Sequence, residues 1–374
     1  MQDTCTLEEL VESERGITYG VVKPGEEGPV LFVRGGDLVD GRILIAELRT
    51  ISEPVSHAYR RTLLRGGELL MSLVGNPGEV AIAPPELAGA NIARQVGLIA
   101  LRRDTDSRFV KYYLMSPLGR AQLFTRTQGA VQQVINLSDV RTLSVPKLPQ
   151  SVQVRIADSL EAYDSLIANN RRRMALLEQA ARLLYEDWFV RLRFPGHESV
   201  PVVDGVPEGW RRARLGDVAD LHYGRALRAD NRLDGDVPVF GSSGVVGTHA
   251  ESLVVGPGII VGRKGNVGSV FWTESAFFPI DTVYFVEPDH VSPYLHFALQ
   301  GIGFTSTDVA VPGLNRDFAR SRLLFVPAPS ALTAFNETVR PMLVQIDCLE
   351  RYNKKLREAR DLLLPRLMSG ELTV

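Results

Sequence analysis

Residues 156–188 read IADSLEAYDSLIANNRRRMALLEQAARLLYEDW. Apolar side chains and one asparagine recur in this stretch at alternating spacings of four and three residues. Such spacing is typical of the seam along which one α-helix packs against another in a coiled coil, so we expect a long helix here. The seam positions are Ile156, Leu160, Tyr163, Ile167, Asn170, Met174, Leu177, Ala181, Leu184 and Trp188.

The C-terminal part of the chain repeats this pattern. Its seam positions are Phe335, Val339, Met342, Ile346, Leu349, Asn353, Leu356, Arg360, Leu363 and Leu367. Arg360 stands where the pattern favours an apolar side chain. Pro341 lacks the amide donor that a helix interior needs, so we expect the second helix to start or kink there. The asparagine in each seam either fixes the register at a cost in stability or is tolerated at a hydrated edge.

The sequence before each helix also occurs twice. Four short matches keep the same order: Leu7-x8-Gly16 with Leu215-x8-Gly224, Pro29-Val30-Leu31 with Pro238-Val239-Phe240, Gly75-Asn76-Pro77-Gly78 with Gly265-Asn266-Val267-Gly268, and Ile135-Asn136 with Leu314-Asn315. Turns rich in glycine and proline separate short β-rich stretches in both copies, and helical segments near 109–115 and 294–300 occupy similar places. The sequence therefore predicts an internal repeat of two mixed, mainly β domains.

Chain geometry then predicts an α+β architecture with two domains separated by two long antiparallel coiled-coil helices and a pseudo-two-fold repeat. The expected boundaries are a first domain over 1–148, a first helix over 149–194, a second domain over 195–328 and a second helix over 329–374. A helix of about 40 residues spans about 60 Å at 1.5 Å per residue. This length is comparable to one or two turns of B-DNA, at roughly 34 Å each.

Composition limits the class of protein but leaves the partner open. The chain has 374 residues, of which 45% are hydrophobic and 23% charged, as in an ordinary globular protein of two or three domains. It has neither an apolar run long enough to span a membrane nor a signal peptide, so we expect a cytoplasmic protein. The net charge of -2 gives no nucleic-acid signature. The two cysteines predict neither a disulfide framework nor a zinc site.

Several segments together resemble the specificity subunit of Type I restriction-modification systems. They are ANNRRRMALLEQAARLLYEDWF at 168–189, RFPG at 193–196, GWRRARLGDV at 209–218 and LREARDLLLPRLMSGE at 356–371. The resemblance covers essentially the full length, and its C-terminal motif is highly specific.

The resemblance implies that each domain is a target recognition domain for one half of a bipartite, gapped site in double-stranded DNA. It further implies that the helices set the spacing and dock two methyltransferase subunits for N6-adenine methylation, with restriction subunits as possible partners for cleavage of unmodified DNA. No cofactor is expected on this chain. S-adenosylmethionine would bind the methyltransferase subunits, and ATP and Mg would bind a restriction subunit.

The sequence carries no recognisable catalytic or metal-binding motif. It has no Asp/Asn-Pro-Pro-Tyr/Phe methyltransferase loop, no Gly-x4-Gly-Lys-Ser/Thr phosphate loop and no His-x3-His pair. We therefore expect a non-catalytic subunit. The main alternative is a non-enzymatic coiled-coil scaffold with protein-binding end domains, which the near-neutral charge slightly favours. The missing nucleophile motifs argue against a hydrolase with two active sites.

Polar side chains on loops are the candidates for DNA contact, because arginine and lysine pair with guanine while asparagine and glutamine pair with adenine. The candidates are Arg60, Arg61, Asn91, Arg94, Gln132 and Gln133 in the first copy, and Arg225, Arg228, Asn231, Ser243, Arg263, Lys264, Asn266 and Arg316 in the second. The strongest is the stretch from Arg263 to Asn266, where two cations stand on a turn with a glycine that allows close approach to a phosphate or groove.

Overall fold

The computed structural model describes residues 3–129, 133–305 and 313–372 and divides into two compact units. Unit 1 consists of residues 1–168 and 354–374, and unit 2 consists of residues 169–353. Each unit therefore combines a mixed α+β domain with part of each of two long helices. None of the described helices is long and apolar enough to cross a membrane.

The domain of unit 1 is built from short strands. They are β1 (Thr4–Thr6), β2 (Ile17–Tyr19), β3 (Val30–Val33), β4 (Leu38–Val39), β5 (Arg42–Ile43), β6 (Arg49–Ile51), β7 (Leu69–Ser72), β8 (Val80–Ile82), β9 (Asn91–Ile92), β10 (Val96–Ile99) and β11 (Ser144–Pro146). Four form an antiparallel sheet in the order β2-β10-β7-β8, and three form a second sheet in the order β6-β3-β9. The remaining pairs are β1-β11 and β4-β5.

Four short helices and the start of a long helix complete unit 1. They are α1 (Glu53–Ala58), α2 (Ser107–Met115), α3 (Pro117–Arg126), α4 (Leu137–Arg141) and α5 (Gln150–Tyr185). The Asp106 side chain accepts hydrogen bonds from two backbone N–H groups at the start of α2, which is why this helix begins there. Helix α5 continues into unit 2, where one π-helical segment, Glu186–Val190, ends it.

The domain of unit 2 repeats the same plan. Its strands are β12 (Val202–Val203), β13 (Val206–Pro207), β14 (Arg211–Arg214), β15 (Leu221–Tyr223), β16 (Val237–Gly241), β17 (Gly244–His249), β18 (Gly258–Gly262), β19 (Val270–Thr273), β20 (Phe278–Pro279), β21 (Val283–Val286) and β22 (Leu323–Val326). Its helices are α6 (Pro293–Ile302) and α7 (Arg316–Ser321), and the second long helix, α8 (Pro329–Ser369), begins in unit 2 and ends in unit 1. The sheet order β15-β21-β18-β19 matches the four-stranded sheet of unit 1, and β17-β16-β20 matches its three-stranded sheet.

The internal repeat is thus confirmed, although the match of Gly16 with Gly224 was wrong. Strand β2 ends immediately before Gly20, and β15 ends immediately before Gly224. A Cβ at Gly20 would collide with the backbone carbonyl of Ile92, and a Cβ at Gly224 would collide with those of Pro279 and Ile280. The residue after each glycine donates its N–H to a matched carbonyl, Val21 to Ile92 (2.8 Å) and Arg225 to Pro279 (3.0 Å). Gly224 therefore corresponds to Gly20 and not to Gly16, because unit 1 has a longer connection before β2.

A second match was displaced by two residues. Strand β3 pairs in parallel with β9, where Val33 lies opposite Ile92. Strand β16 pairs in parallel with β20, where Phe240 lies opposite Pro279. Val33 thus corresponds to Phe240, whereas the sequence match had placed Leu31 there. A shift of two residues keeps the same strand face, so the alternation of side chains could not reveal the error.

Several predicted seam residues of the two long helices share buried clusters within each unit, together with Leu343 and Leu364, which the predicted seam did not include. In unit 1, Ile156 and Leu160 near the start of α5 share one buried cluster with Leu364 and Leu367 near the end of α8. In unit 2, Ala181 near the end of α5 shares a cluster with Phe335, Val339 and Leu343 near the start of α8. The two helices are therefore antiparallel in both units.

The alternative that the second helix starts at Pro341 was wrong. Helix α8 begins at Pro329 and continues through Pro341 to Ser369. Pro341 lies on the exposed side of α8, so its ring does not disturb the buried seam. The packing of the apolar face over the whole length compensates for the backbone hydrogen bond that this proline cannot donate.

Candidate nucleic-acid interface

The turn after β18 presents the strongest sequence candidates. The backbone N–H of Gly268 donates to the carbonyl of Gly262 (2.9 Å), and that of Gly262 donates to Ser269 (2.7 Å). Gly265 and Gly268 adopt φ values of 77° and 80°, a left-handed region that glycine enters at little cost. The result is a tight loop that presents Lys264 and Asn266 to solvent.

The equivalent turn of unit 1 has the same geometry. There the N–H of Gly78 donates to the carbonyl of Ser72 (2.8 Å), and that of Ser72 donates to Glu79 (2.7 Å). Gly75 and Gly78 also have positive φ, at 87° and 89°. The predicted match between these two glycine turns is therefore confirmed at the level of single hydrogen bonds.

Arg263 does not project into solvent as the sequence suggested. Its guanidinium lies 4.9 Å from the ring centre of Tyr223 and 5.7 Å from that of Tyr284. Its Nη1 donates to the carbonyl of Asp281 (3.1 Å). The two tyrosine rings meet edge to face with their centres 5.1 Å apart. Arg263 is thus half-buried in a cation–π arrangement.

Arg316 approaches the same tyrosine from the start of α7. Its guanidinium lies 5.6 Å from the ring centre of Tyr223, and its Nη2 donates to Oδ2 of Asp220 (2.8 Å). Arg320, one turn further along α7, pairs with Oδ1 of the same carboxylate (3.3 Å). The Asn315 side chain caps the helix by accepting the N–H of Asp317 (2.9 Å). The structure therefore brings Arg263 and Arg316 together around Tyr223.

Electrostatics in this cluster follow from its composition. Partial burial acts to raise the pKa of Asp220, but the N–H of Leu221 and the cations Arg316 and Arg320 outweigh it and lower that pKa. Burial and the neighbouring Tyr223 raise the pKa of Tyr284 to about 12 against the opposing effect of Arg263. Asp220 is therefore anionic at neutral pH and orients the cations, while Tyr284 is neutral there.

The other candidates of unit 2 come from two segments, the stretch that follows β15 and the turn between β16 and β17. Arg225, Arg228, Asn231 and Ser243 are all exposed. The backbone N–H of Arg225 donates to the carbonyl of Pro279 (3.0 Å), so its position is fixed while its side chain stays accessible. None of these four was contradicted by the structure, and each remains a prediction.

In unit 1, most candidates are exposed as expected. Arg60 and Arg61 form a 3-10 turn over Arg60–Thr62, and Arg61 Nη2 donates to the carbonyl of Glu14 (3.3 Å). Gln133 is exposed, and its carbonyl accepts the N–H of Gly75 (3.0 Å). Gln132 lies outside the described residues.

Asn91 is a correction to the sequence-based prediction. It is fully buried in β9, where its Oδ1 accepts the hydroxyl of Thr62 (2.7 Å) and the N–H of Ile92 (2.9 Å). Its amide Nδ2 lies within hydrogen-bond distance of Ser56 Oγ and the Ser56 and Tyr59 carbonyls. The side chain is thus occupied inside the domain and cannot reach a base edge.

Arg94 lines a groove on unit 1 that sequence reasoning did not foresee. The groove has a volume of about 520 Å³ and also contains Arg34 and Arg49. Arg34 Nη2 donates to Oδ1 of Asp37 (2.7 Å), whereas Arg49 is exposed. Arg34 follows β3 and Arg49 begins β6, much as Tyr223 ends β15. No sequence motif marks any of these three residues. Only the folded arrangement brings Arg34 and Arg49 to a common surface.

The described residues contain no group of three or more histidine, cysteine, aspartate or glutamate side chains that could hold a metal ion. Cys5 and Cys348 are free thiols, half-buried and exposed respectively. The arrangement is one of cations and amides on rigid turns, which is suited to binding anionic or hydrogen-bonding surfaces.

Comparison with known proteins identifies relatives of this chain. Residues 207–302 match the family profile of the Type I restriction modification DNA specificity domain. The Type I restriction enzyme EcoBI specificity subunit of Escherichia coli is 29% identical over 164 residues, which are 42% of this chain and 34% of that protein. The match thus spans about a third of the length of this relative.

Two further relatives extend over most of the chain. The Type I restriction enzyme MjaIX specificity subunit of Methanocaldococcus jannaschii is 22% identical over 87% of this chain and 82% of its own length. The crystal structure of the S subunit of a Type I restriction-modification system from M. genitalium aligns with a TM-score of 0.62 at 17% identity, covering 98% of this chain and 96% of that one. The fold and the resemblance inferred from the sequence are thereby confirmed.

Proposed function

Because the chain carries a Type I restriction modification DNA specificity domain and resembles specificity subunits along most of its length, we propose that it is a DNA-recognition subunit. In this role it directs a Type I restriction-modification complex to its sites. Each unit recognises one half of a bipartite, gapped site in double-stranded DNA. The long helices set the length of the gap and dock two methyltransferase subunits, which methylate adenine at N6. Restriction subunits, where they assemble, cut unmodified DNA.

The observation that carries this proposal is a repeated framework with different side chains at matched positions. Leu73 of unit 1 occupies the place that Arg263 has in unit 2. The carbonyl of Leu73 accepts the N–H of Ile135 (2.9 Å), and the carbonyl of Arg263 accepts the N–H of Leu314 (2.8 Å). Leu73 and Arg263 immediately follow matched strands of the two sheets. A pair of half-sites with different sequences requires this combination of a constant scaffold and variable contacts.

The outer face of α5 supports the docking of partner subunits. Leu176 and Leu183 are seven residues apart, and 56% and 50% of their side-chain surface is exposed. Both lie away from the seam that faces α8. Exposed leucines repeating once per heptad form an apolar stripe that a partner helix can cover.

Catalysis belongs to the partners in this proposal. S-adenosylmethionine binds the methyltransferase subunits, and ATP and Mg bind a restriction subunit, while this chain contributes sequence recognition. The competing hypothesis of a protein-binding scaffold predicts no sequence-specific effect on DNA. The arginine clusters of both units favour DNA, because planar guanidinium groups match phosphates and guanine edges.

Methylome sequencing tests the proposal. Cells with and without the gene for this chain are compared, and the expected result is loss of one gapped adenine-methylation motif that returns on complementation. An unchanged methylome, although the partner methyltransferases are expressed and assembled with the chain, would contradict the proposal and support the scaffold. A complementing chain with Leu176→Ser and Leu183→Ser should restore less methylation of the same motif, because docking is weakened while recognition is kept.

A further inference from the structure

We propose that Arg263 and Arg316 form a clamp for one DNA backbone phosphate, held in place by the ring of Tyr223. The inference rests on the proposed function, and it assigns these two arginines to positioning the duplex instead of to distinguishing bases. Tyr223 is a positioning residue in this clamp, and the sequence analysis had not identified it.

Tyr223 is placed as a platform. It ends β15, an edge strand of the four-stranded sheet, and 49% of its side chain is exposed. One edge of the ring packs against Tyr284, whose hydroxyl donates to the carbonyl of Leu314 (2.9 Å). The N–H of Leu314 in turn donates to the carbonyl of Arg263 (2.8 Å). Hydrogen bonds therefore connect the segments that carry the clamp.

Each arginine is anchored through one terminal nitrogen and retains other donors. A guanidinium has five N–H groups. Arg263 uses Nη1 for the Asp281 carbonyl, and Arg316 uses Nη2 for Asp220. The Nε of Arg316 is buried and has no hydrogen-bond partner among the described residues. Two cations restrained over one ring lose less conformational freedom on binding an oxyanion than mobile side chains do.

Reach and charge favour a phosphate over a base edge. Arg316 keeps only 29% of its side chain exposed, and Arg263 is half-buried, so neither extends as a groove-reading side chain must. Lys264 lies next to Arg263 in the chain, and Arg320 shares the Asp220 carboxylate with Arg316, so both add positive charge near the clamp. A backbone phosphate approaches the protein surface and accepts the paired N–H groups that guanidinium offers. The exposed Lys264 and Asn266 on the adjacent turn remain the candidates for base recognition.

Unit 1 offers a natural comparison. Tyr19 ends β2 as Tyr223 ends β15, and 47% of its side chain is exposed. Leu73 stands at the position of Arg263, and Leu137 begins α4 as Arg316 begins α7. In the described part of unit 1, no cation lies over the ring of Tyr19. A substitution of Tyr19 therefore removes an equivalent tyrosine without disturbing a clamp.

The salt dependence of DNA binding tests the clamp. Binding of the full chain to a random-sequence duplex of about 40 base pairs is measured between 50 and 200 mM salt, where each phosphate contact changes affinity by about 3.5-fold. The logarithm of the association constant falls linearly with the logarithm of the salt concentration. Arg263→Gln and Arg316→Gln should each make this slope less steep by about 1. Arg263→Lys should retain the slope because the charge remains. Tyr223→Leu should make the slope less steep, Tyr223→Phe should preserve it, and Tyr19→Leu should have no effect.

The possible failures are distinguishable. If the unaltered chain binds the duplex but both glutamine variants keep its slope, the clamp is wrong and the proposed function stands. If the glutamine variants relax the methylation motif in cells at one base position, the arginines recognise bases, which also overturns the clamp. If the unaltered chain shows no salt-dependent binding, both proposals fail. Circular dichroism of each variant verifies that the fold is retained.

Discussion

Arg360 and Asp164 form an ion pair within unit 1, with Arg360 Nη1 2.6 Å from Asp164 Oδ1. The Tyr112 hydroxyl donates to the other carboxylate oxygen (2.7 Å), and Lys111 Nζ lies 3.7 Å from it. Both partners are largely buried, with 14% and 13% of their side chains exposed. The arginine that interrupts the apolar seam of α8 therefore has a matching anion on α5.

The buried position of this pair predicts a strong dependence of unit 1 on Asp164. Asp164→Asn should lower the free energy of unfolding of unit 1 by about 3 to 5 kcal/mol, because Arg360 and Lys111 lose the carboxylate that compensates their burial. Chemical denaturation measures the change. Glu358→Gln, which removes an exposed partner of Lys354, should change the free energy by less than about 0.5 kcal/mol. Equal effects of the two substitutions would show that burial does not govern the Asp164 cluster.

A second prediction concerns the asparagines of the two seams. Asn170 Nδ2 donates to Asn353 Oδ1 (2.9 Å), and both residues are buried. Asn353→Leu should destabilise unit 2 by about 1 to 3 kcal/mol, because Asn170 is left without its acceptor. The double change to leucine should recover this loss but weaken the specification of register, which cysteine cross-linking along α5 and α8 would detect as additional pairings. Additive effects of the two single changes would contradict a coupled pair.

The third prediction is a pH dependence of unit 2. His296 is buried in α6 against Trp272 and Phe297, and burial, with a smaller contribution from Arg182, lowers its pKa from 6.5 to about 3. As pH falls between these values, the unfolded chain takes up a proton that the folded chain does not. The free energy of unfolding should therefore decrease by up to about 1.4 kcal/mol per pH unit.

Replacing this histidine tests the assignment. His296→Met should make the denaturation midpoint less sensitive to pH between 6.5 and 3, whatever its effect on stability at neutral pH. His290→Gln removes an exposed imidazole of the same domain and serves as the control. A pH profile of the methionine variant parallel to that of the unaltered chain would refute the role of His296.

The fourth prediction tests whether the helices set the gap between half-sites. One heptad is inserted after Asn170 in α5 and another before Asn353 in α8, so that both seams stay in phase. At 1.5 Å per residue the insertion adds about 10 Å, or about 3 base pairs of B-DNA. The methylated motif should keep its half-sites and gain about 3 base pairs of gap, while insertion into one helix alone should abolish methylation. Retained methylation with an unchanged gap would show that the helices do not set the spacing.

The sequence predicted the helices well because a seam needs only a periodicity that is visible in the chain itself. Residues from Ile156 to Leu184 and from Phe335 to Leu367 show that periodicity, and burial follows it. The repeat was also predictable where backbone geometry demands glycine, as at Gly75 and Gly265. It failed at Gly16, where an inserted connection shifted a chance match onto the wrong glycine.

The candidate interface was less predictable because its geometry depends on residues distant in sequence. Asn91 and Arg94 lie three residues apart and both looked suitable for base contact, yet one is buried in β9 and the other is exposed beside a groove. Tyr223 gains its role only from arginines that the fold brings from β18 and α7. Pairing of α8 with α5 explains Arg360, which had looked like a departure from the seam.

The buried cluster of unit 1 also constrains when this protein can mature in the cell. Leu364, Leu367 and Met368 share that cluster with Leu7 and Ile17, and the ribosome makes these three residues after all of unit 2. Part of the apolar surface of unit 1 therefore stays uncovered in a nascent chain until α8 has left the exit tunnel. We expect chaperones that bind nascent chains to contact unit 1 until that point, because exposed apolar surface is what they recognise.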